Sequence, residues 1–257
     1  MKEIFTEFLY RPLFNALVWL YQNVAFQDLG VAIILLTLVV RLLLFPLFQK
    51  MIRHQQITQN LQPEIKRIQK KYKQDKETQA KEIIGLYNQH KINPLTPIIV
   101  LLVQAPIIFA LYRIFMNGFS NGAFNLLYSF INLPEFPSQS FLGMIDLTKA
   151  SLALTVLTAL LQYLQGRLAL RKISKNKDSK EEGAAEKMGR RMTIIAPALV
   201  FLFLVNLPAA IGLYWSTTTV FSIAQQAVVA RSLNKSKGNS LLLGGDEGDR
   251  NKNSQTP

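Results

Sequence analysis

Residues 28–47 read DLGVAIILLTLVVRLLLFPL, and from Leu29 onward Arg41 is the only ionisable side chain in the stretch. Extended to Lys50, the run has the roughly 20 residues that a helix rising 1.5 Å per residue needs to cross about 30 Å of hydrocarbon. Four further blocks of the same kind follow at 94–116 (PLTPIIVLLVQAPIIFALYRIFM), 150–168 (ASLALTVLTALLQYLQGRL), 192–207 (MTIIAPALVFLFLVNL) and 209–230 (AAIGLYWSTTTVFSIAQQAVVA). The last two share a tight turn at Leu207 and Pro208. Backbone inside lipid must satisfy its own hydrogen bonds, and no block shows the roughly ten-residue alternation of a barrel strand. The pattern predicts an all-α polytopic membrane protein with five transmembrane helices, an N-terminal interfacial helix and a cytoplasmic helical hairpin. Composition agrees: 49% of the 257 residues are hydrophobic and 18% charged, against roughly 25% charged in an ordinary soluble domain.

Lys and Arg in short loops are retained on the cytoplasmic side, so the connecting segments orient the spans. Segments 51–93 and 167–191 each carry 9 Lys/Arg and 4 acids, whereas 117–149 carries one Lys and two acids, and residues 1–28 two basic residues and three acids. The hairpin 51–93 and the loop 169–191 are therefore expected in the cytoplasm, with the N-terminus outside and the C-terminus inside. The formal net charge of +13 then becomes mostly a topology signal plus attraction to anionic headgroups.

Residues 1–28 are expected to form a retained, extracytoplasmic interfacial amphipathic helix. Ile4, Phe5, Phe8, Leu9, Leu13, Phe14, Leu17, Val18 and Tyr21 recur at helical spacing, with Glu7, Arg11, Asn15 and Gln22 between them. A short sixth span from Leu13 to Phe26 would spoil the charge parity. Lys2 beside Glu3 makes a poor signal-peptide start, and no small-residue cleavage site follows. From Leu61 to His90 apolar residues at three-to-four spacing flank a polar break at Gln74–Thr78, which predicts two antiparallel amphipathic helices, either packed on themselves or serving as a docking arm. Segment 174–187 and the tail 233–257 have little to bury and are expected to be disordered.

Arg41 asks for a function. A mid-bilayer Arg costs about 2.5–3.5 kcal/mol on insertion scales, and none of the five spans supplies an Asp or Glu to neutralise it. Its guanidinium has to meet water, hydrogen-bond acceptors or an anion brought from elsewhere. Candidate companions in a wet cavity are Thr37 one turn earlier, Gln104 in the second span, Gln162 and Gln165 in the third, and Trp215 with Ser216, Thr217 and Thr218 in the fifth. Each also has a plain reading as interhelical glue, a backbone-bonded hydroxyl or an interfacial anchor.

The catalytic alternatives lack their working groups. The chain has no Cys, hence no thiolate metal site, disulfide or Cys nucleophile. Residues 118–122 (GFSNG) match the G-x-S-x-G spacing of a hydrolase elbow, but they follow a membrane helix, and the only histidines, His54 and His90, fall on the opposite side of the membrane. No H-E-x-x-H motif, P-loop or intramembrane Asp pair is present, so no cofactor or metal is expected. A small-anion channel or transporter remains the alternative function, since a lone intramembrane Arg suits it, although no paired repeat is visible.

Three stretches carry a resemblance: 28–47 quoted above, 93–115 (NPLTPIIVLLVQAPIIFALYRIF) and 208–231 (PAAIGLYWSTTTVFSIAQQAVVAR). In their order, and with the basic hairpin between the first two, they resemble the YidC/Oxa/Alb membrane protein insertases over about residues 10–232. The resemblance implies an insertase core at 29–232 whose helices surround a hydrophilic groove, open to cytoplasm and lipid and closed to the outside. It places the groove Arg at Arg41, the Thr one turn before it at Thr37, the aromatic after Leu-Tyr at Trp215, and a third-span polar position at Gln162 or Gln165. It implies nascent membrane proteins and lipids as partners, with a Sec translocon and the ribosome as further candidates, and location in a bacterial cell (inner) membrane. Departures are the lack of a large periplasmic domain and of a lipidated Cys, and a short, mildly basic tail.

Overall fold

The computed structural model describes residues 2–93, 96–117, 124–132, 139–170 and 184–250. Helix α1 (Lys2–Phe5), a π-helical turn (Thr6–Tyr10) and α2 (Arg11–Asn23) follow one another without a break. Pro12 has no N–H to give to the turn before it, and that turn widens: Arg11 N–H reaches Thr6 O. Phe14, Leu17, Val18 and Tyr21 of α2 are buried. Arg11, Asn15 and Gln22, read from the sequence as lying between the apolar positions, are bonded to segment 124–132, and Asn15 is buried there. Asn15 Nδ2 donates to Leu126 O (2.9 Å), Tyr128 N–H donates to Asn15 Oδ1 (2.7 Å), Arg11 Nε donates to Leu126 O (3.1 Å) and Gln22 Nε2 donates to Asn132 O (2.8 Å). A single-sequence pattern has no term for a partner one hundred residues away.

Helix α3 (Leu29–Leu43) starts on Asp28, whose Oδ1 accepts from Val31 N–H (2.8 Å). Asp28 Oδ2 accepts from Leu142 N–H (2.5 Å), and Gly30 lies directly under Phe141, so close that a Cβ there would stand 2.1 Å from the ring. The expected first span, 29–50, is not one straight helix. α3 ends at Leu43, and α4 (Phe45–Asn60) leaves at 71°, because Pro46 removes the donor and adds the ring clash that stop α3 from continuing. Among the described residues no single helix is long and apolar enough to cross a membrane, and the bent pair Leu29–Leu43 with Phe45–Thr58 meets that measure only together.

Helices α5 (Gln62–Lys71) and α6 (Lys76–Gln89) meet over a small core of Leu61, Ile65, Leu86 and Ile92. Asp75 caps α6 by accepting from Thr78 N–H (3.0 Å) and Thr78 Oγ1 (2.6 Å), bonds that hold its carboxyl below the ordinary aspartate value. Helix α7 (Thr96–Asn117) carries Pro106 inside it. The all-α expectation needs one amendment: strands β1 (Ser140–Phe141) and β2 (Ile145–Asp146) pair antiparallel around Leu142 and Gly143, both at positive φ. Such a two-residue pair is too short to announce itself by alternation.

Helix α8 (Leu152–Leu170) packs on α9 (Ala184–Leu204) and on α10 (Ala209–Arg250). Thr158 fixes the α8–α10 crossing: its hydroxyl lies 2.7 Å from Ser216 Oγ and 3.1 Å from Gly212 O. α9 begins eight residues before the expected fourth span, and α10 continues to Arg250 through the tail expected to be disordered. No Pro interrupts Ala209–Arg250, and Leu241–Leu243 favour a helix. The remaining disorder expectations, at 174–183 and 251–257, and the 118–122 motif lie outside the described residues.

One apolar cluster joins α2, α3, α7, α8 and α10, while the outward faces remain apolar. Leu102 and Phe109 on α7, Leu160 on α8, Leu199 and Leu202 on α9 and Val228 on α10 are all exposed. A soluble monomer rarely shows so much apolar surface, whereas lipid tolerates it.

Candidate functional site

Arg41 lies in the last turn of α3, just before the break at Pro46, so α4 folds back across it instead of extending away. The result is a cavity of about 520 Å³ lined by side chains from α3, α4, α6, α7, α8 and α10. Arg41 is 7% exposed, and its guanidinium carbon stands 4.3 Å from the centre of the Phe48 ring, a cation–π contact supplied by α4. No described residue accepts a hydrogen bond from it, and no Asp or Glu is among the described residues lining the cavity. The positive charge is covered by a ring face and otherwise directed at a cavity in which amides and hydroxyls alternate with apolar side chains and His54.

Six of the nine sequence-named residues line this cavity: Arg41, Gln104, Gln162, Gln165, Trp215 and Thr218. Both third-span glutamines reach it. Gln104 Nε2 donates to the Tyr214 hydroxyl, and Gln162 Oε1 is buried without a partner among the described residues. Trp215 stands edge-on to Phe203 at 6.4 Å, which fixes its ring at the α9–α10 contact. The other three are not at the cavity, and Thr217 Oγ1 donates to Leu213 O on its own helix (2.8 Å). Thr37 Oγ1 donates to Ile33 O on its own helix (2.6 Å), and Ser216, one position past Trp215 and so about 100° around α10, faces Thr158.

Sequence reasoning missed the α4 side of the site: Phe48, Met51, Ile52, His54, Gln55 and Thr58 all line it. Ending the first span at Lys50 left Phe48 within a straight span and assigned the other five to a cytoplasmic loop. The signal available was Pro46, a helix breaker inside an apolar run, which warns of a turn-back. Thr219 and Ser222 follow from the helical repeat of α10 once Trp215 is placed, and Tyr214 stands one turn before Thr218. Among the described residues no three His, Asp or Glu side chains are grouped to hold a metal ion.

The sequence model of the 60Kd inner membrane protein family matches residues 19–237, a range that holds the cavity and all three stretches quoted for the resemblance. The chain belongs to this family. Family relatives include the membrane protein insertase YidC of Syntrophobacter fumaroxidans, 32% identical over 229 residues that are 87% of this chain and 38% of that protein. The insertase MisCB of Bacillus subtilis is 29% identical over 93% of this chain and 84% of its own. The YidC of Clostridium perfringens is 34% identical over 76% and 75%. The chain thus spans less than half of the first of these, and 51% of the YidC of Streptomyces avermitilis, but most of the other two. A crystal structure of an active YidC insertase with its first transmembrane domain resolved superposes with a TM-score of 0.56 at 28% identity, covering 84% of this chain and 45% of that one. Family membership makes the chain a membrane protein, in keeping with its apolar exterior.

Proposed function

We propose that the chain is a membrane protein insertase whose cavity receives the polar tail of an incoming protein beside Arg41. The observation that carries this reading is a buried guanidinium with no described carboxylate, in a cavity lined by amides and hydroxyls together with apolar side chains, inside an apolar exterior. Such a cation draws an acidic or polar segment partway into the membrane and lowers the cost of its desolvation. Gln104, Gln162 and Gln165 offer both donors and acceptors to a backbone that has lost water. As the substrate's apolar segment then slides from the cavity into lipid, each buried methylene contributes about 0.8 kcal/mol, enough over roughly 20 residues to draw a short tail across without ATP.

In this reading residues 29–232 form the core, with five crossings, the N-terminus outside and the C-terminus in the cytoplasm, and the basic segments 51–93 and 169–191 facing the cytoplasm. Residues 1–28 lie along the outer surface. Supporting that placement, Phe5 meets Phe109 on α7, Tyr10 sits by Arg113 a turn later, and Asn15 and Gln22 bond to segment 126–132 beyond the helix, so the chain crosses the end of α7. Nascent membrane proteins are the substrates, and a Sec translocon and the ribosome are candidate partners.

The test is reconstitution of the purified chain in liposomes with a small single-span substrate bearing an acidic N-terminal tail. Integration is expected with the wild type and with Arg41→Lys, and is expected to be lost with Arg41→Ala and Arg41→Glu. Full activity of Arg41→Glu refutes the charge mechanism. Anion flux without integration indicates a small-anion channel instead.

A further inference from the structure

Two tight turns stand side by side at the end of α3 opposite the bend. One is Phe26–Gln27, where both residues have positive φ (52° and 59°), and the other is Leu142–Gly143 (52° and 67°) at the β1–β2 hairpin. Asp28 joins them, capping α3 with one oxygen and accepting from Leu142 N–H with the other. Bulky residues rarely take the left-handed conformation, and where they do the surroundings impose it. Here its effect is to leave apolar side chains uncovered: Phe26 is 94% exposed, Leu142 62% and Met144 84%. Val24 and Trp19 on the approach from α2 are exposed too.

We infer that Phe26, Leu142 and Met144 form an apolar tip that inserts into the headgroup–acyl boundary of the outer leaflet, so that this end of the molecule holds a lipid surface instead of standing free in water. The inference rests on the membrane topology proposed above and adds a lipid contact to it. Depth decides the occupant. Asp28 precedes Arg41 by 13 residues, about 20 Å of helix at 1.5 Å per residue, or about 18–19 Å with an ordinary tilt of about 20°. With Arg41 near the mid-plane, the hydrocarbon ends about 15 Å away and the headgroups about 20–22 Å away, so the tip falls within the interfacial layer. Charge agrees: segment 117–149 holds one Lys and two acids, and Lys149 is paired with Asp146 (2.9 Å), so among the described residues of that segment no unpaired charge keeps the tip away from lipid. An exposed Trp19 nearby suits the same layer, where aromatic residues with one polar end collect.

The chain contains no Cys, so single labels are unambiguous. Met144→Cys and, separately, Phe26→Cys carry an environment-sensitive fluorophore in proteoliposomes of phosphatidylethanolamine and phosphatidylglycerol, with Glu77→Cys on the exposed face of α6 as the water-facing reference. The expected result is blue-shifted emission at both tip positions, quenched at least threefold more by lipid spin-labelled at acyl carbon 5 than the reference, and at least threefold less by iodide. Iodide quenching equal to that of the reference overturns the inference, as does protection from both quenchers, which would mean that protein covers the tip. Integration of the single-span substrate is measured on the same vesicles. Water-quenched tips with intact integration defeat this inference alone, and lipid-quenched tips with no integration in the wild type defeat the insertase reading alone.

Discussion

Arg41→Met removes the charge and keeps a long, flexible side chain in its place, and the structure predicts opposite effects on stability and on function. The guanidinium is 7% exposed, no described residue accepts a hydrogen bond from it, and its nearest attractive partner is the Phe48 ring at 4.3 Å. An Arg at mid-helix depth costs about 2.5–3.5 kcal/mol relative to water. The ring offsets about 0.5–2 kcal/mol of that when desolvated. The remainder, about 0.5–3 kcal/mol, is what Met recovers, and it corresponds to a rise in Tm of about 1–12 °C for a domain of this size. Thermal melts in detergent, followed by the fluorescence of Trp19 and Trp215, read that rise, and substrate integration in liposomes is expected to fall to background. A group that weakens the fold yet is required for activity is the signature of a site built for a client. A lower Tm in Arg41→Met refutes the reasoning: the cation would then be satisfied by the protein itself, and no unmet charge would remain to recruit a substrate.

Gly30→Ala is expected to destabilise although Ala favours helices, because the new Cβ would sit 2.1 Å from the Phe141 ring, and overpacking of that kind costs about 1–3 kcal/mol against a propensity gain of at most about 1 kcal/mol. Adding Phe141→Ala should recover most of the lost Tm, and a Tm above wild type for the single variant refutes the close approach. Thr158→Val should lower stability by about 1 kcal/mol by removing the hydroxyl that meets Ser216 Oγ and Gly212 O at the α8–α10 crossing, and Thr158→Ser should restore it, as judged by the same melts. The Asp146 carboxylate accepts from Thr148 Oγ1 (2.5 Å) and from Lys149 (2.9 Å), contacts that draw its pKa down to about 2 from 3.8. A depressed pKa contributes stability that is complete above the unfolded value and is lost as pH falls through the folded one, so the turn after β2 should keep this support down to about pH 3.8 and lose it toward pH 2. The carbonyl-carbon NMR shift of Asp146 in micelles reads the midpoint, and a midpoint at 3.8 refutes the pairing.

How far the molecule was legible from its sequence varies with the range of the interaction involved. Helices were legible where the signal is local, as at Thr96–Asn117 and Leu152–Leu170, where long, mostly apolar runs have only a helix open to them in lipid. Arg41 was legible as the central residue because a lone charge in an apolar run demands an explanation at any depth. The bend at Pro46 was written in the sequence but outweighed by hydrophobicity, and with it went Phe48, Met51 and Thr58 on the cavity wall. Ser216 was misplaced because helical phase, not sequence distance from Trp215, decides which wall a residue joins. The bonds of Asn15 to Leu126 and Tyr128, and of Asp28 to Leu142, span more than 100 residues, so no periodicity within a window could reveal them.

The break at Pro46 bears on how such a site could release what it binds. A carboxylate fixed beside Arg41 would form a buried ion pair, and removing one partner of such a pair costs about 3–5 kcal/mol, a barrier every client would have to overcome twice. A ring face contributes about 0.5–2 kcal/mol, so a client's acidic residue can displace Phe48 at modest cost and be displaced by it again. The ring is available for this because Pro46 folds α4 back and brings Phe48, seven residues after Arg41, over the guanidinium; on a continuous straight helix a residue seven positions on lies about 10 Å further along the axis, out of reach of a 4.3 Å contact. Phe48→Leu keeps the apolar cover and removes the quadrupole. If the ring acts as a reversible counterpart to the charge, Phe48→Leu should bind an acidic-tailed substrate about 2–30-fold more tightly in a crosslinking titration yet release it more slowly in a single-round integration assay, whereas unchanged binding and release would show the ring to be packing alone.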